Sequence, residues 1–90
     1  MEKKYLFLSE QVEIMEDAGM KLIVQANMNR VLKVSADTID CLEFLKKPRT
    51  RTEVTHYFLD HGTGKDVVEE HVAAALSLME SYRLIKVVGE

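Results

Sequence analysis

The segment Arg30-Val31-Leu32-Lys33-Val34-Ser35 constrains the fold more than any other, because the side-chain periodicity changes at its end. Its side chains alternate in the way that is typical of a β-strand. Ser35 then precedes Ala36 and Asp37, and a serine followed by an acid is a favourable start for a helix. The segment therefore predicts a strand that leads directly into a helix.

Two alternating segments precede this strand, and each ends at a turn signal. The first covers Val12–Glu16 and is followed by Asp17-Ala18-Gly19, in which glycine supplies the positive φ of a tight hairpin. The second covers Met20–Ala26 and is followed by Asn27-Met28-Asn29, in which asparagine tolerates a left-handed backbone. Alternate residues of the second segment share one face: Met20, Leu22, Val24 and Ala26. The pattern predicts a three-stranded antiparallel meander.

Helical patterns follow the meander. The first helix ends before Pro48, and three of its apolar residues have the spacing of a core-facing stripe, namely Ile39, Leu42 and Leu45. The second helix begins at Thr50 or Thr52, either of which can cap it. Gly62-Thr63-Gly64 ends this second helix.

The third and longest helix is predicted over residues 66–82. Leu84–Val88 follows it as a short extended segment or a packed tail. Because the strands come before the helices, the order of elements predicts an α+β fold with a three-stranded antiparallel sheet followed by three helices.

The chain has the size and composition of one small domain. Of its 90 residues, 47% are hydrophobic, which suffices for one core. We expect residues 12–88 to form this domain. Residues 1–11, which include Tyr5-Leu6-Phe7-Leu8, are expected to form an N-terminal arm that is either packed on the domain or mobile.

Charge and composition also limit the classes of partner. A net charge of -3 gives no overall attraction to nucleic acid or to anionic lipid. No apolar run approaches the ~20 residues that span a bilayer, and Tyr5–Leu8 is too short for the core of a signal peptide. The single Cys41 has no partner for a disulfide or for a cysteine-rich zinc site. We therefore expect a cytoplasmic protein that binds no membrane.

The last helix has an apolar surface that is too wide for a single contact. At 100° per residue its apolar arc covers roughly 200°, whereas a surface helix needs about 100° to face a core. One sector contains Val67, His71, Ala74, Leu78 and Tyr82, and the adjoining sector contains Val68, Val72, Ala75, Leu76 and Met79. We expect one sector to face the core, and the other to make a second internal contact or to line an open groove.

Three stretches of this sequence carry a resemblance to a known family. They are Val31-Leu32-Lys33-Val34-Ser35-Ala36 leading into Ile39 and Leu42, then Arg49-Thr50-Arg51-Thr52-Glu53-Val54, and then Val72 to Leu76 with Ser81-Tyr82-Arg83-Leu84-Ile85. Over about residues 12–85 the chain resembles the PqqD-like domains, the chaperone family of pyrroloquinoline quinone biosynthesis. Their wider class is the recognition elements of ribosomally made, post-translationally modified peptides, abbreviated RiPPs.

The resemblance implies a fold, a ligand and a partner. Domains of this family are similar to winged helix-turn-helix folds. The leader peptide of a precursor pairs as an extra strand on the third strand, here residues 30–35, and its side chains enter a cleft against the third helix, here residues 66–82. The family delivers the leader to a separate maturation enzyme, which is often a radical S-adenosylmethionine protein.

We therefore expect a peptide-binding adaptor of natural product biosynthesis rather than an enzyme, working as a monomer or a dimer without cofactor or metal. Strand addition is a known mode of peptide recognition in which side-chain pockets provide specificity. The peptide-binding residues are expected on the third strand and on one sector of the last helix: Arg30, Val31, Leu32, Lys33, Val34, Val67, His71, Ala74 and Leu78.

Two other functional classes remain open. A winged-helix protein can bind DNA, and Lys46-Lys47-Pro48-Arg49-Thr50-Arg51 is a basic cluster, but acids crowd the first turns of the last helix, where a recognition helix meets DNA. A dimeric structural subunit could associate through Tyr5–Leu8 or Leu84–Val88. Enzyme chemistry has less support, because His56, His61 and His71 lack the i,i+3 or i,i+4 spacing of paired metal ligands on a helix.

Overall fold

The computed structural model describes residues 3–89, so residues 1 and 2 of the expected arm lie outside the described residues. The elements, in chain order, are β1 Lys4–Phe7, β2 Glu13–Asp17, β3 Met20–Gln25, β4 Arg30–Val34, α1 Ala36–Phe44, β5 Arg49–Thr50, α2 Arg51–Asp60, α3 Val68–Ser81 and β6 Ile85–Val88. The predicted α+β class, with an antiparallel meander followed by three helices, is confirmed. The architecture is compatible with the winged-helix-like fold that the resemblance implies.

The predicted meander forms a sheet with the order β2-β3-β4. Ala18 and Gly19 connect β2 to β3 with φ values of 54° and 81°, and positive φ at both central residues defines the type I′ turn that suits the twist of a hairpin. Asn29 takes φ 52° before β4, as predicted for an asparagine at this turn. In the turn Ala18-Gly19, the alanine is the strained member, because its Cβ disfavours left-handed backbone.

A second three-stranded sheet, with the order β5-β1-β6, was not predicted. Lys4–Phe7 of the expected N-terminal arm is its central strand and pairs antiparallel with β6, Lys4 opposite Val88 and Phe7 opposite Ile85. β1 also pairs with the two residues of β5. The described part of the arm is therefore a strand of the fold. Periodicity alone does not decide whether this segment packs on the domain or is a mobile tail.

Helices α1 and α2 begin where the sequence predicts, whereas α3 begins at Val68, two residues after the predicted start at residue 66, and has no side-chain cap. Ser35 caps α1 by accepting a hydrogen bond from the Thr38 N–H at 3.1 Å. Thr50 caps α2 in a capping box: its hydroxyl accepts from the Glu53 N–H at 3.1 Å, and the Glu53 carboxylate accepts from the Thr50 N–H at 2.8 Å. These bonds satisfy backbone donors that a helix start otherwise leaves unpaired.

The end of α3 is fixed by a Schellman motif. Arg83 takes φ 61°, the Leu84 N–H donates to the Met79 carbonyl at 2.9 Å, and the Arg83 N–H donates to the Glu80 carbonyl at 2.9 Å. Leu84 and Met79 are both buried, as the apolar contact of this motif requires. The motif reverses the chain so that β6 returns along β1.

One core joins the two sheets and the helices. Ile23 comes from the meander, Phe7 and Ile85 come from the second sheet, and the helices contribute Cys41, Leu42, Val54, Val68, Val72, Leu76 and Met79. Two backbone bonds fix the second sheet to its surroundings: the Phe7 N–H donates to the Leu45 carbonyl at 2.7 Å, and the Leu8 N–H donates to the Leu84 carbonyl at 2.8 Å.

Candidate peptide-binding site

The strand β4 has one edge that no other strand within residues 3–89 covers. Its paired edge lies against β3, with Gln25 opposite Arg30 and Lys21 opposite Val34. In an antiparallel ladder, alternate residues direct their N–H and C=O groups away from the partner strand. The outer edge of β4 therefore presents backbone donors and acceptors to which another extended chain could pair.

The helix α3 presents the two sectors that its sequence predicts. Val68, Val72, Leu76 and Met79 are buried in the core. The sector with Val67, His71, Ala74, Leu78 and Tyr82 is exposed, and the Leu78 side chain retains 57% of its accessible surface. The second sector is therefore an open surface rather than a second internal contact.

A cleft of about 290 Å³ lies between β4 and the C-terminal half of α3. This is near the lower end of the ~300–1,000 Å³ typical of ligand pockets. Its lining residues are mostly apolar, and Lys33 is the charged residue among them. They are Leu32, Lys33, Val34, Ser35, Thr38, Leu78, Met79, Tyr82 and Leu84.

Arg30 connects β4 to the last turn of α3. Its guanidinium lies 5.3 Å from the centre of the Tyr82 ring and donates to the Tyr82 carbonyl at 2.8 Å. Gln25, which is buried, accepts from Arg30 Nε at 2.8 Å and donates to the same carbonyl at 2.8 Å. Because these polar groups satisfy one another inside the fold, they hold the strand and the helix at a fixed separation.

The predicted site residues fall into three groups. Leu32, Lys33, Val34 and Leu78 line the cleft. Arg30 contacts Tyr82 but is not among the lining residues, and Val31 lies on the opposite face of the sheet, 58% exposed. Val67, His71 and Ala74 are exposed on or just before α3, outside the cleft lining.

Five lining residues were not among the predicted site residues: Ser35, Thr38, Met79, Tyr82 and Leu84. Tyr82 could have been included, because it lies one turn after Leu78 in the same helical sector. Ser35 and Thr38 belong to the start of α1, and Leu84 enters through the Schellman turn. Ser35 directly follows β4 in the chain, whereas no periodic pattern connects Leu84 to that strand.

A second cavity, of about 260 Å³, lies between α1 and α2 and is lined in part by Asp40, Cys41, Tyr57 and His61. Burial raises the pKa of the Cys41 thiol to about 11. His61 stacks on Tyr57 and its Nδ1 lies 2.7 Å from the Tyr57 carbonyl. A nucleophilic cysteine needs a lowered pKa, so the environment of Cys41 is that of a core thiol.

The basic cluster between α1 and α2 is largely engaged within the fold. Lys46 pairs with Glu43 at 3.0 Å, and Arg51 lies 3.8 Å from Glu69. The Arg49 guanidinium lies 4.3 Å from the centre of the Phe44 ring and donates to the Phe44 carbonyl at 3.0 Å. These contacts within the chain favour a structural role for the cluster rather than phosphate binding.

Comparisons of the chain with protein-family models, with curated proteins and with solved structures found no match. A functional assignment therefore depends on the cleft and on the residue pattern. Within residues 3–89, no helix combines the length and the apolar character needed to cross a membrane.

Proposed function

We propose that this protein binds an extended peptide, the leader of a ribosomally made precursor, and presents it to a separate modifying enzyme. The observation that carries this proposal is the uncovered edge of β4 beside an apolar cleft. The leader would pair antiparallel or parallel to β4 and place side chains against Leu32, Met79 and Leu84. Since precursors of this kind are made by ribosomes, the proposal includes a cytoplasmic location.

The energy of binding comes mainly from the cleft rather than from the strand edge. Four or five added backbone bonds contribute a net ~0.5–1.5 kcal/mol each. Ordering the leader costs ~1–2 kcal/mol per residue in backbone entropy, which roughly offsets those bonds. Two or three apolar side chains, each worth ~1.5–3 kcal/mol when buried, therefore have to supply the affinity.

Lys33 adds selectivity to this arrangement. Its side chain is exposed on the same face of the sheet as Val31, next to the edge to which the leader would pair, so an acidic side chain of the leader that points to that face can approach it. Charges at the rim of an interface affect the association rate and the choice of partner more than the final affinity. We therefore propose that the leader combines apolar anchors with an acidic flank.

A fluorescence-polarisation titration tests the proposal, with fluorescein-labelled N-terminal segments of short peptides from the protein's genomic neighbourhood as candidate leaders. We expect micromolar or tighter binding, with changes in the amide NMR signals of residues 30–34. Leu78→Glu removes an anchor contact and places a carboxylate at the cleft, so we expect affinity to fall about tenfold or more, since tenfold corresponds to ~1.4 kcal/mol.

Ser77→Glu is the matched control, because Ser77 is exposed on the same helix and does not line the cleft. It adds the same charge and is expected to leave the affinity within about twofold. Equal losses in the two variants, or no binding of the leader at tens of micromolar, would contradict the proposed site.

A further inference from the structure

The sheet β2-β3-β4 has a second face, directed away from the core. Ile14, Ile23 and Leu32 are paired across the three strands and pack with the core. Because neighbouring residues on a strand point to opposite faces, the rows beside this one point outward. The outward rows are Glu13–Val24–Val31, Met15–Leu22–Lys33 and Asp17–Met20.

This outer face is apolar at its centre. Met15, Met20 and Val31 are 47%, 42% and 58% exposed. Leu22 and Val24 are partly buried on β3, but they are not among the residues that pack against the core. An antiparallel sheet with one solvated face normally carries polar residues there, and a contiguous apolar patch marks an interaction surface.

The charges of the outer face are separated by strand. Glu13 and Asp17 lie on β2, Lys33 lies on β4, and all three are exposed. Lys33 lies in the same cross-strand row as Met15, and Met15 lies between Glu13 and Asp17 along β2. One border of the apolar patch is therefore acidic and the opposite border is basic.

This arrangement is complementary to itself. A twofold axis parallel to the strands lays β2 of one copy over β4 of the other, which places each Lys33 between Glu13 and Asp17 of the facing copy. A twofold axis across the strands would lay β2 over β2 and bring Glu13 against Asp17, two carboxylates. Charge therefore selects the first arrangement and disfavours the second.

We propose that two copies of this chain associate through the outer face of the β2-β3-β4 sheet, forming a two-layered sandwich with β2 over β4. The apolar rows would pack at the ~10 Å spacing of stacked sheets. Three strands of five or six residues cover only about 14 Å by 17 Å. An interface of this size lies below the ~1,200 Å² of stable complexes, so the dimer is weak and reversible.

The dimer leaves the edge of β4 open. The twofold axis puts the two β4 edges on opposite sides of the sandwich, and packing through a sheet face uses no backbone group of an edge. This surface differs from Tyr5–Leu8 and Leu84–Val88, because those segments contribute the strands β1 and β6 that pair within one chain. The inference does not depend on peptide binding.

Sedimentation velocity of the full chain, from a few to several hundred micromolar, tests this inference. We expect the wild-type sedimentation coefficient to rise with concentration towards that of a dimer. Lys33→Glu alone, and Glu13→Lys with Asp17→Lys, should each remain monomeric because both place like charges opposite one another. An equimolar mixture of the two variants restores opposite charges on both sides and should form a heterodimer.

Glu70→Lys is the control, because Glu70 is exposed on α3, away from the sheet, and should leave the wild-type behaviour unchanged. Circular dichroism confirms that each variant is folded. A wild-type chain that stays monomeric over the whole range would overturn the proposal. So would charge variants that dimerise as the wild type does, or a mixture that stays monomeric.

Discussion

Cys41 shows how one buried side chain can make the stability of the whole protein depend on pH. Burial disfavours the thiolate and raises the pKa of Cys41 from its usual 9.0 to about 11. The pKa of Tyr57 is raised in the same direction, first by burial and then by the negative charges of Cys41, Asp40 and Asp37. The folded state is therefore most stable when both groups are protonated.

We expect the free energy of unfolding to fall as the pH rises from about 9 to 11, because the unfolded thiol releases its proton at a lower pH than the folded one. The stabilisation that the protonated Cys41 thiol gives the folded state is fully present below pH 9, and about 2 kcal/mol of it is lost by pH 11. Urea unfolding at a series of pH values measures it. Cys41→Ala should flatten the alkaline slope, leaving the smaller part due to Tyr57. An unchanged slope would show that Cys41 ionises as freely in the folded state as in the unfolded one.

At the scale of single elements, capping side chains determine where α1 and α2 begin, whereas α3 has no side-chain cap. The capping box between Thr50 and Glu53 is the clearest case, since both of its hydrogen bonds are present. The hydrogen bond from the Thr50 N–H is the main reason that the pKa of Glu53 is lowered. Helix α2 contributes only Val54 to the fully buried core, so its cap matters more than it would on a deeply packed helix.

Thr50→Ala is expected to lower the free energy of unfolding by about 1 kcal/mol, within the ~0.5–2 kcal/mol typical of lost N-caps. Thr55→Ala is the matched control on the same helix. The Thr55 hydroxyl donates to the Arg51 carbonyl one turn earlier, and alanine is the better helix former there. Urea midpoints measure both. If the two variants lose equal stability, the capping box does not hold the start of α2.

Local patterns predicted the elements well and their faces less well. The meander, the helix caps and the turn at Asn29 follow from signals within a few residues. In Met20–Gln25, however, the apolar alternate set is Met20, Leu22 and Val24, whereas the buried residues are Ile23 and Gln25 from the other set. The more apolar face of this strand is therefore not the one that faces the core. Only the register with β4 and the position of the helices determine which face is inside.

At the scale of the whole molecule, the second sheet was beyond prediction from sequence. β1 and β5 are short, and β1 pairs with β6 from the far end of the described chain. No residue near Lys4–Phe7 identifies that partner. The same limit applies to the cleft: Leu32 and Leu78 were expected from strand and helix patterns, whereas Leu84 reaches the cleft through a turn held by a left-handed Arg83.

Phe7→Ala tests whether β1 is needed by the whole fold. Phe7 is buried in the common core, so we expect a loss of about 3–5 kcal/mol in the free energy of unfolding. Leu6 precedes it on the strand and is not among the core-packing residues, so Leu6→Ala should cost clearly less. Urea unfolding compares the two. Similar small losses would mean that residues 4–7 are an accessory arm rather than part of the cooperative unit.

The pairing of β1 with β6 also determines how the protein responds to mechanical force. Lys4 lies opposite Val88 and Phe7 opposite Ile85, so tension applied at Lys4 and Val88 acts on one end of the ladder. The hydrogen bonds then break one after another, as in a zipper, instead of sharing the load. Each bond contributes only ~0.5–1.5 kcal/mol, so this sheet opens at low force. Helix α3 would be loaded next, because it leads directly into β6.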